Sequence, residues 1–187
     1  MNVSTGVGYG NVQFPGSGAI CQASTYTVYG QVYKTGVTEA AGQGSGIVAQ
    51  LGYNTTNTDP STWTNWQTAT FNTQIGNNDE YQSTLSGLAS GTYYYAYRYA
   101  YAPCGYQYAG YSASGGGFWN GTTNVNGTLT INPLPTGNLT NGGAVPAVDV
   151  NVNCGCVPAQ TAPPLVKFPV GNGLTVTNRK LNKSMRS

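Results

Sequence analysis

The amino-acid sequence predicts an all-β protein, built as an antiparallel sandwich or barrel of short strands. Apolar and polar residues alternate in several runs, for example over residues 26–32 and 47–53. Clusters rich in Gly, Asn and Ser separate these runs at intervals of roughly ten to fifteen residues, as turns do in such folds. No window of about eleven residues carries an apolar face at helical period without Gly or Thr interrupting it.

The strongest strand signal is a single tyrosine-rich segment. Because side chains alternate along an extended chain, five tyrosines share one face: Tyr93, Tyr95, Tyr97, Tyr99 and Tyr101. Such a face is typical of a sandwich core whose hydroxyls reach hydrogen-bond partners, and less typical of a ligand platform. We therefore predict that these rings fill the space between two sheets.

Three regions differ in composition. Residues 1–24 are rich in Gly and Ser and are predicted to form an arm that can add one edge strand. Residues 25–131 carry the alternating pattern of the sandwich. Residues 132–187 hold seven of the ten prolines, which cannot lie in central strands. This extension is expected to fold as a small second unit, to pair along a sheet edge of its own or a neighbouring chain, or to link to a further domain.

The composition is that of an extracellular or virion protein rather than a cytosolic enzyme. Only 6% of the 187 residues are charged, whereas a soluble domain usually carries about 25%. Histidine is absent, which removes the Ser–His and Cys–His nucleophile systems and the commonest general base. The five carboxylates show no spacing that suggests the facing pair of a glycosidase. We expect no catalysis.

Several motifs resemble a known class of module. Residues 88–95 resemble the loop and the tyrosine-bearing strand of fibronectin III-like and immunoglobulin-like sandwiches. Residues 28–33, 49–53 and 91–98 are similar to segments of an accessory module of secreted bacterial proteins. The resemblance covers about residues 25–131. It implies an Ig-like antiparallel β-sandwich with a binding or structural role and no catalytic residues.

Four cysteines, Cys21, Cys104, Cys154 and Cys156, allow three pairings within one chain. In a charge-poor, extracellular chain, disulfides are favoured over thiols. Cys154 and Cys156 are too close to bridge each other easily, and in an extended strand they point to one face. We predict that they connect the C-terminal extension to Cys21 and Cys104, either within one chain or between copies.

Asp79 and Glu80 follow two asparagines, and with Asp59 they are candidate ligands for Ca²⁺, which prefers carboxylate and amide oxygens. The spacing is not that of a regular calcium loop, and Asn and Asp are also common in ordinary turns. Both interpretations stay open.

The three tryptophans, Trp63, Trp66 and Trp119, are candidates for stacking on a sugar ring, because an indole presents apolar area to the ring's C–H face. Trp63 and Trp66 are three residues apart and so lie on opposite faces of a straight strand. Unless a turn intervenes they cannot share a platform, and at least one is expected in the core.

Two functions are expected from these observations. The first is a non-catalytic extracellular structural protein that assembles with copies of itself, through its terminal arms, into a filament, surface layer or virion exterior. A charge-poor surface favours such packing. The second is a carbohydrate-binding or adhesion module of a larger secreted protein, with a polysaccharide as partner.

Two further classes of partner are not expected. No run approaches the roughly 20 apolar residues of a membrane span. Four of the seven Lys and Arg residues lie within residues 179–187. Such an end can contact an acidic subunit, nucleic acid or anionic lipid, but a solvated terminus is the simpler interpretation, so nucleic acid is not predicted as a partner.

Overall fold

Eleven β-strands and one short 3-10 helix make up the regular structure of residues 6–134, the part of the chain that the computed structural model describes. The strands are β1 (Tyr9–Gly10), β2 (Ser17–Cys21), β3 (Tyr26–Tyr33), β4 (Ile47–Asn54), β5 (Trp66–Thr68), β6 (Thr70–Ile75), β7 (Asn78–Leu85), β8 (Gly91–Tyr101), β9 (Gln107–Gly110), β10 (Gly117–Phe118) and β11 (Gly127–Asn132). The 3-10 helix spans Pro60–Thr62, between β4 and β5. In this part of the chain, no helix has the length and apolar character that crossing a bilayer requires.

The strands form two sheets. The first has the order β1-β3-β7-β6 and is antiparallel throughout. In the second sheet, β4 pairs with one edge of β8, and β5 pairs with the outer edge of β4. The other edge of β8 pairs with β11 along its first half and with β9 along its second half. Beyond them lie β2, which runs parallel to β11, and β10, which is antiparallel to β9. The prediction of an all-β fold is confirmed, but this parallel pair makes the second sheet mixed rather than purely antiparallel.

The chain before β3 contributes one strand to each sheet, although the sequence predicts an arm that can add one edge strand. Tyrosine hydroxyls of β8 hold this segment in place. Tyr99 donates a hydrogen bond to the Asn11 carbonyl (3.1 Å), and Tyr95 donates one to the Pro15 carbonyl (2.7 Å). Of the predicted Pro-rich extension, residues 135–187 lie outside the described residues, so its pairing stays a prediction.

The tyrosines of β8 fill the core, as their alternation predicts. Tyr95, Tyr97 and Tyr99 are fully buried, and the rings of Tyr97 and Tyr99 stack with centroids 5.5 Å apart. The Tyr97 hydroxyl crosses to the other sheet and donates to the Val28 carbonyl (2.7 Å). Such bonds matter, because a buried hydroxyl without a partner costs about 1–3 kcal/mol.

Glycines provide the space that these large rings need. Gly30 in β3 faces Tyr97 and Tyr99, and a Cβ atom built on Gly30 would overlap the Tyr97 ring and the Tyr99 hydroxyl. Gly127, which is paired with Tyr95 across β11 and β8, has the same relation to the Tyr95 ring. The core therefore combines tyrosine rings that pack against glycines with buried aliphatic side chains such as Val28, Leu51 and Leu129.

Candidate functional site

Two surface cavities that share Asp59 and Trp119 form the most promising site among the described residues. The larger has a volume of about 410 Å³ and is also lined by Gln107 and Tyr108 of β9. The smaller, of about 220 Å³, extends to Asn126, just before β11. We call the two cavities together the Trp119 groove. Its walls come from three separate parts of the chain: the segment around the 3-10 helix, β9, and the segment between β10 and β11.

Local structure fixes Trp119 at the centre of this groove. Trp119 follows β10, and its backbone N–H donates to the Tyr108 carbonyl (2.9 Å), which extends the β9–β10 hairpin. The next turn is held by the Asn120 side chain, whose Oδ1 accepts hydrogen bonds from three backbone N–H groups, those of residues 122, 123 and 124. Gly121 adopts φ +73° beneath the indole ring. The indole is half-buried, and its position is set before any ligand binds.

Hydrogen bonds also fix the positions of Asp59 and Asn126. Asp59 precedes the 3-10 helix and caps it, since its Oδ1 accepts a hydrogen bond from the Ser61 backbone N–H (2.8 Å). Its side chain remains exposed to the groove. Asn126 is only 8% exposed, and its Nδ2 donates to Asn57 Oδ1 (2.8 Å) and to the Thr58 carbonyl (3.0 Å). These bonds join the two sides of the smaller cavity.

Two polar atoms of the groove residues have no hydrogen-bond partner. Six buried side-chain atoms in the described part of the chain lack a partner there. Trp119 Nε1 and Asn126 Oδ1 belong to this group, as does Gln107 Oε1, which instead packs beside Gly6. Buried polar atoms are nearly always hydrogen-bonded, so Trp119 and Asn126 mark the groove as a place where a polar ligand could supply missing partners.

Trp63 and Trp66 lie together, because the end of the 3-10 helix turns the chain between them. Their rings are stacked with centroids 6.1 Å apart, and Trp63 is only 6% exposed. The Arg98 guanidinium packs on the rings of Trp66 (4.2 Å) and Tyr106 (3.9 Å), while Arg98 Nε donates to Gln50. We call Trp63, Trp66, Arg98 and Tyr106 the aromatic stack.

The aromatic stack and Trp119 differ in what covers their rings. A sugar could stack on Trp63 or Trp66 only if contacts within the stack opened, so that role stays a prediction. By contrast, no ring or guanidinium of the described residues stacks on Trp119. Of the three predicted stacking residues, Trp119 is therefore the one that the fold presents to a cavity.

The three candidate calcium ligands are not brought together. Asp79 and Glu80 are consecutive residues of β7, so their side chains point to opposite faces of the sheet. Asp79 is fully buried, where it accepts a hydrogen bond from the Gly44 backbone N–H (2.7 Å), and burial raises the pKa of its carboxyl. Glu80 accepts one from Asn72 (2.5 Å), whereas Asp59 lies in the Trp119 groove. Across residues 6–134, no group of three acidic or cysteine side chains is arranged to hold a metal ion.

The two described cysteines lie at opposite ends of the second sheet. Cys21 ends β2 and pairs with Asn132, next to the beginning of β8, whereas Cys104 follows the end of β8. The 11 residues of β8 separate them by about 30 Å. A direct bridge between Cys21 and Cys104 within one chain is thus excluded, because a disulfide needs Cα atoms less than about 7 Å apart. Cys154 and Cys156 lie outside the described residues, so their pairing stays a prediction.

The groove offers contacts for binding and no pair of carboxylates. Among the described residues that line it, Asp59 is the only acidic one. The sequence predicts functional roles for Asp59 and Trp119 but none for Gln107 and Asn126. Nothing in the sequence marks those two amides, because they join the site only when β9 and the segment before β11 come together in the fold.

Comparison of the chain with models of protein families finds no match, and comparison with curated proteins finds none either.

Proposed function

We propose that this β-sandwich is a non-catalytic carbohydrate-binding module of an extracellular protein, and that the Trp119 groove binds the sugar. One observation carries the proposal: Trp119 lines a cavity beside the unpartnered oxygen of Asn126, and its own indole N–H has no partner among the described residues. Sugar sites combine an aromatic face for the C–H surface with polar groups for the hydroxyls. The charge-poor composition supports an extracellular location.

We also propose that the sandwich is Ig-like, as the sequence resemblance implies. The order β1-β3-β7-β6 corresponds to strands A, B, E and D of that fold, and β4-β8-β11 corresponds to C, F and G. At the start of β8, the Tyr93 hydroxyl donates to the Ala89 carbonyl four residues upstream (3.2 Å), which is the pattern of a tyrosine corner. In this scheme, the β9–β10 hairpin and Trp119 belong to the F–G connection.

Replacing Trp119 with Ala tests the binding site. We expect W119A to bind sugar about ten- to a hundredfold more weakly, because it loses an aromatic contact worth roughly 1.5–3 kcal/mol. Affinity electrophoresis of the full chain in gels containing soluble polysaccharides measures the change, and calorimetry on the best ligand confirms it.

Phe14→Ala is the matched control for that experiment. Phe14 is 65% exposed and lines a different cavity, with Tyr29 and Glu80, so F14A is expected to bind like the unmodified chain. Equal binding by W119A and the unmodified chain would show that the groove is not the site.

Self-assembly is the second candidate function, and the placement of the cysteines favours it. Cys154 and Cys156 are two residues apart, so their Cα atoms are separated by at most about 7 Å. Because Cys21 and Cys104 are about 30 Å apart, this pair of one chain cannot reach both. Copies linked end to end could use both sites, which is how a disulfide-joined filament or surface layer would form.

Peptide mapping of the oxidised chain tests this second function. We expect no monomer in which Cys21 and Cys104 are both bridged to Cys154 and Cys156. If all four cysteines are oxidised, the chain should run as reductant-sensitive oligomers on gels. A monomer carrying both bridges would contradict the argument.

A further inference from the structure

The polar atoms of the Trp119 groove favour a ligand that donates hydrogen bonds. Of its two buried unpartnered atoms, Asn126 Oδ1 is an acceptor and Trp119 Nε1 is a donor. The Asp59 carboxylate adds two further oxygens that only accept, and the hydrogen bond that it accepts from the Ser61 N–H leaves most of this capacity open. Sugar hydroxyls meet this need, because each can donate to one group while accepting from another.

The charge of the groove also favours an uncharged ligand over an anionic one. Among the described residues, Asp59 is the only charged side chain that lines either cavity. No Lys or Arg within residues 6–134 lines the groove, and Arg98 is engaged in the aromatic stack. A carboxylate or sulfate on the ligand would meet the negative charge of Asp59 without a cation to offset it.

We propose, on the premise that the Trp119 groove binds sugar, that it selects uncharged, hydroxyl-rich saccharides and rejects carboxylated or sulfated ones, with Asp59 as the residue that sets this preference. The Asp59 carboxylate accepts hydrogen bonds from the hydroxyls of a neutral ring that stacks on Trp119. The same carboxylate repels an anionic ring in that position.

The local structure allows the charge of Asp59 to be removed alone. Asn caps helices about as well as Asp, so Asp59→Asn keeps the hydrogen bond to the Ser61 N–H and the shape of the 3-10 helix. Glu39→Gln is the matched control. It removes one negative charge from an exposed residue that bonds to Tyr33 and lies outside the groove lining.

The experiment compares one polymer in two charge states. The full chain is first screened by affinity electrophoresis against neutral galactomannan, xyloglucan, β-glucan and dextran, and against acidic polygalacturonate, alginate and dextran sulfate. The best-binding neutral polymer with free primary hydroxyls, which the α-1,6-linked backbone of dextran lacks, is then oxidised at those hydroxyls to carboxylates, and both forms are measured by calorimetry.

We expect the unmodified chain and E39Q to prefer the neutral form by about tenfold or more at low salt. In D59N, affinity for the neutral form should fall about five- to tenfold, because a hydrogen bond to a charged acceptor becomes one to a neutral amide. The preference for the neutral form should largely disappear in D59N.

The possible failures are distinguishable. If no polymer of either charge binds, the proposed function is wrong. If an acidic polymer binds as tightly as the neutral ones, the groove binds sugar but the selectivity is wrong. If D59N rejects the oxidised polymer as strongly as the unmodified chain does, Asp59 does not set the preference.

Discussion

Above about pH 10, the protein is expected to unfold in a steep transition. Burial raises the pKa of Tyr81 to about 12 and raises the pKa values of Tyr95, Tyr97 and Tyr99 well above the ordinary value of 10.0. A group with a raised folded-state pKa contributes its full stability below the unfolded pKa and loses it as the pH rises toward the folded value. Each deeply buried tyrosine therefore removes about 1.4 kcal/mol per pH unit above pH 10.

Tyr95, Tyr97 and Tyr99 together lower the free energy of unfolding by about 4 kcal/mol per pH unit. This slope determines the pH at which the protein unfolds. A typical domain has a free energy of unfolding of about 5–15 kcal/mol. This stability would be exhausted within about one to four pH units above pH 10. Neutral pH lies far below this window, so the tyrosine core does not make the protein sensitive to pH there.

Tyrosinate absorbance and near-ultraviolet circular dichroism, followed together through an alkaline titration, measure this transition. The buried tyrosines should ionise only as the fold is lost, so their share of the absorbance change should coincide with the loss of dichroism, while accessible tyrosines such as Tyr106 contribute separately. The chain in concentrated denaturant is the control, with every tyrosine titrating near pH 10. Ionisation of all fifteen tyrosines while the dichroism stays intact would show that the rings are not buried as described.

Adding one methyl group at Gly30 is expected to destabilise the fold by about 3 kcal/mol or more. In Gly30→Ala, the new Cβ atom would meet the Tyr97 ring, the Tyr99 hydroxyl and the backbone carbonyl of Asn11 (2.7 Å). The Asn11 carbonyl cannot move aside without breaking the hydrogen bond that it accepts from the Tyr99 hydroxyl. Urea denaturation measures the loss.

Gly105→Ala is the control, because no atom lies within 4 Å of a Cβ atom at that position. It should change the free energy of unfolding by less than about 0.5 kcal/mol. The double variant Gly30→Ala/Tyr99→Phe removes the hydroxyl that the new methyl group meets, so it should be less destabilised than the sum of the single variants. Additive effects would mean that G30A acts elsewhere.

The alternation of side chains along the sequence predicts which residues enter the core, but it does not predict which distant segments pack together. The alternation of tyrosines in β8 determines which face is buried, and alternation is a local property that the sequence displays directly. That the N-terminal segment enters both sheets depends instead on hydroxyls of Tyr95 and Tyr99, some eighty residues away along the chain. No local pattern encodes such a contact.

At the candidate site, too, the local sequence does not show which side chains come together. Asp79 and Glu80 are neighbours in sequence, which suggests shared ligation, yet they belong to strand β7, where neighbours point apart. Trp63 and Trp66 meet because a 3-10 helix ends between β4 and β5, and nothing in their spacing reveals that turn. Trp119 is the exception: an aromatic residue in an Asn- and Gly-rich loop has a high chance of facing solvent.

The parallel pairing of β2 with β11 has a consequence for how the chain acquires its structure. Ser17 pairs with Thr128, so β2 cannot complete its pairing until more than a hundred further residues have been synthesised. Contacts between residues so far apart in sequence make folding slow. A nascent chain that ends before β11 would expose an open edge of β8, so the sandwich should be completed only after synthesis has passed residue 132.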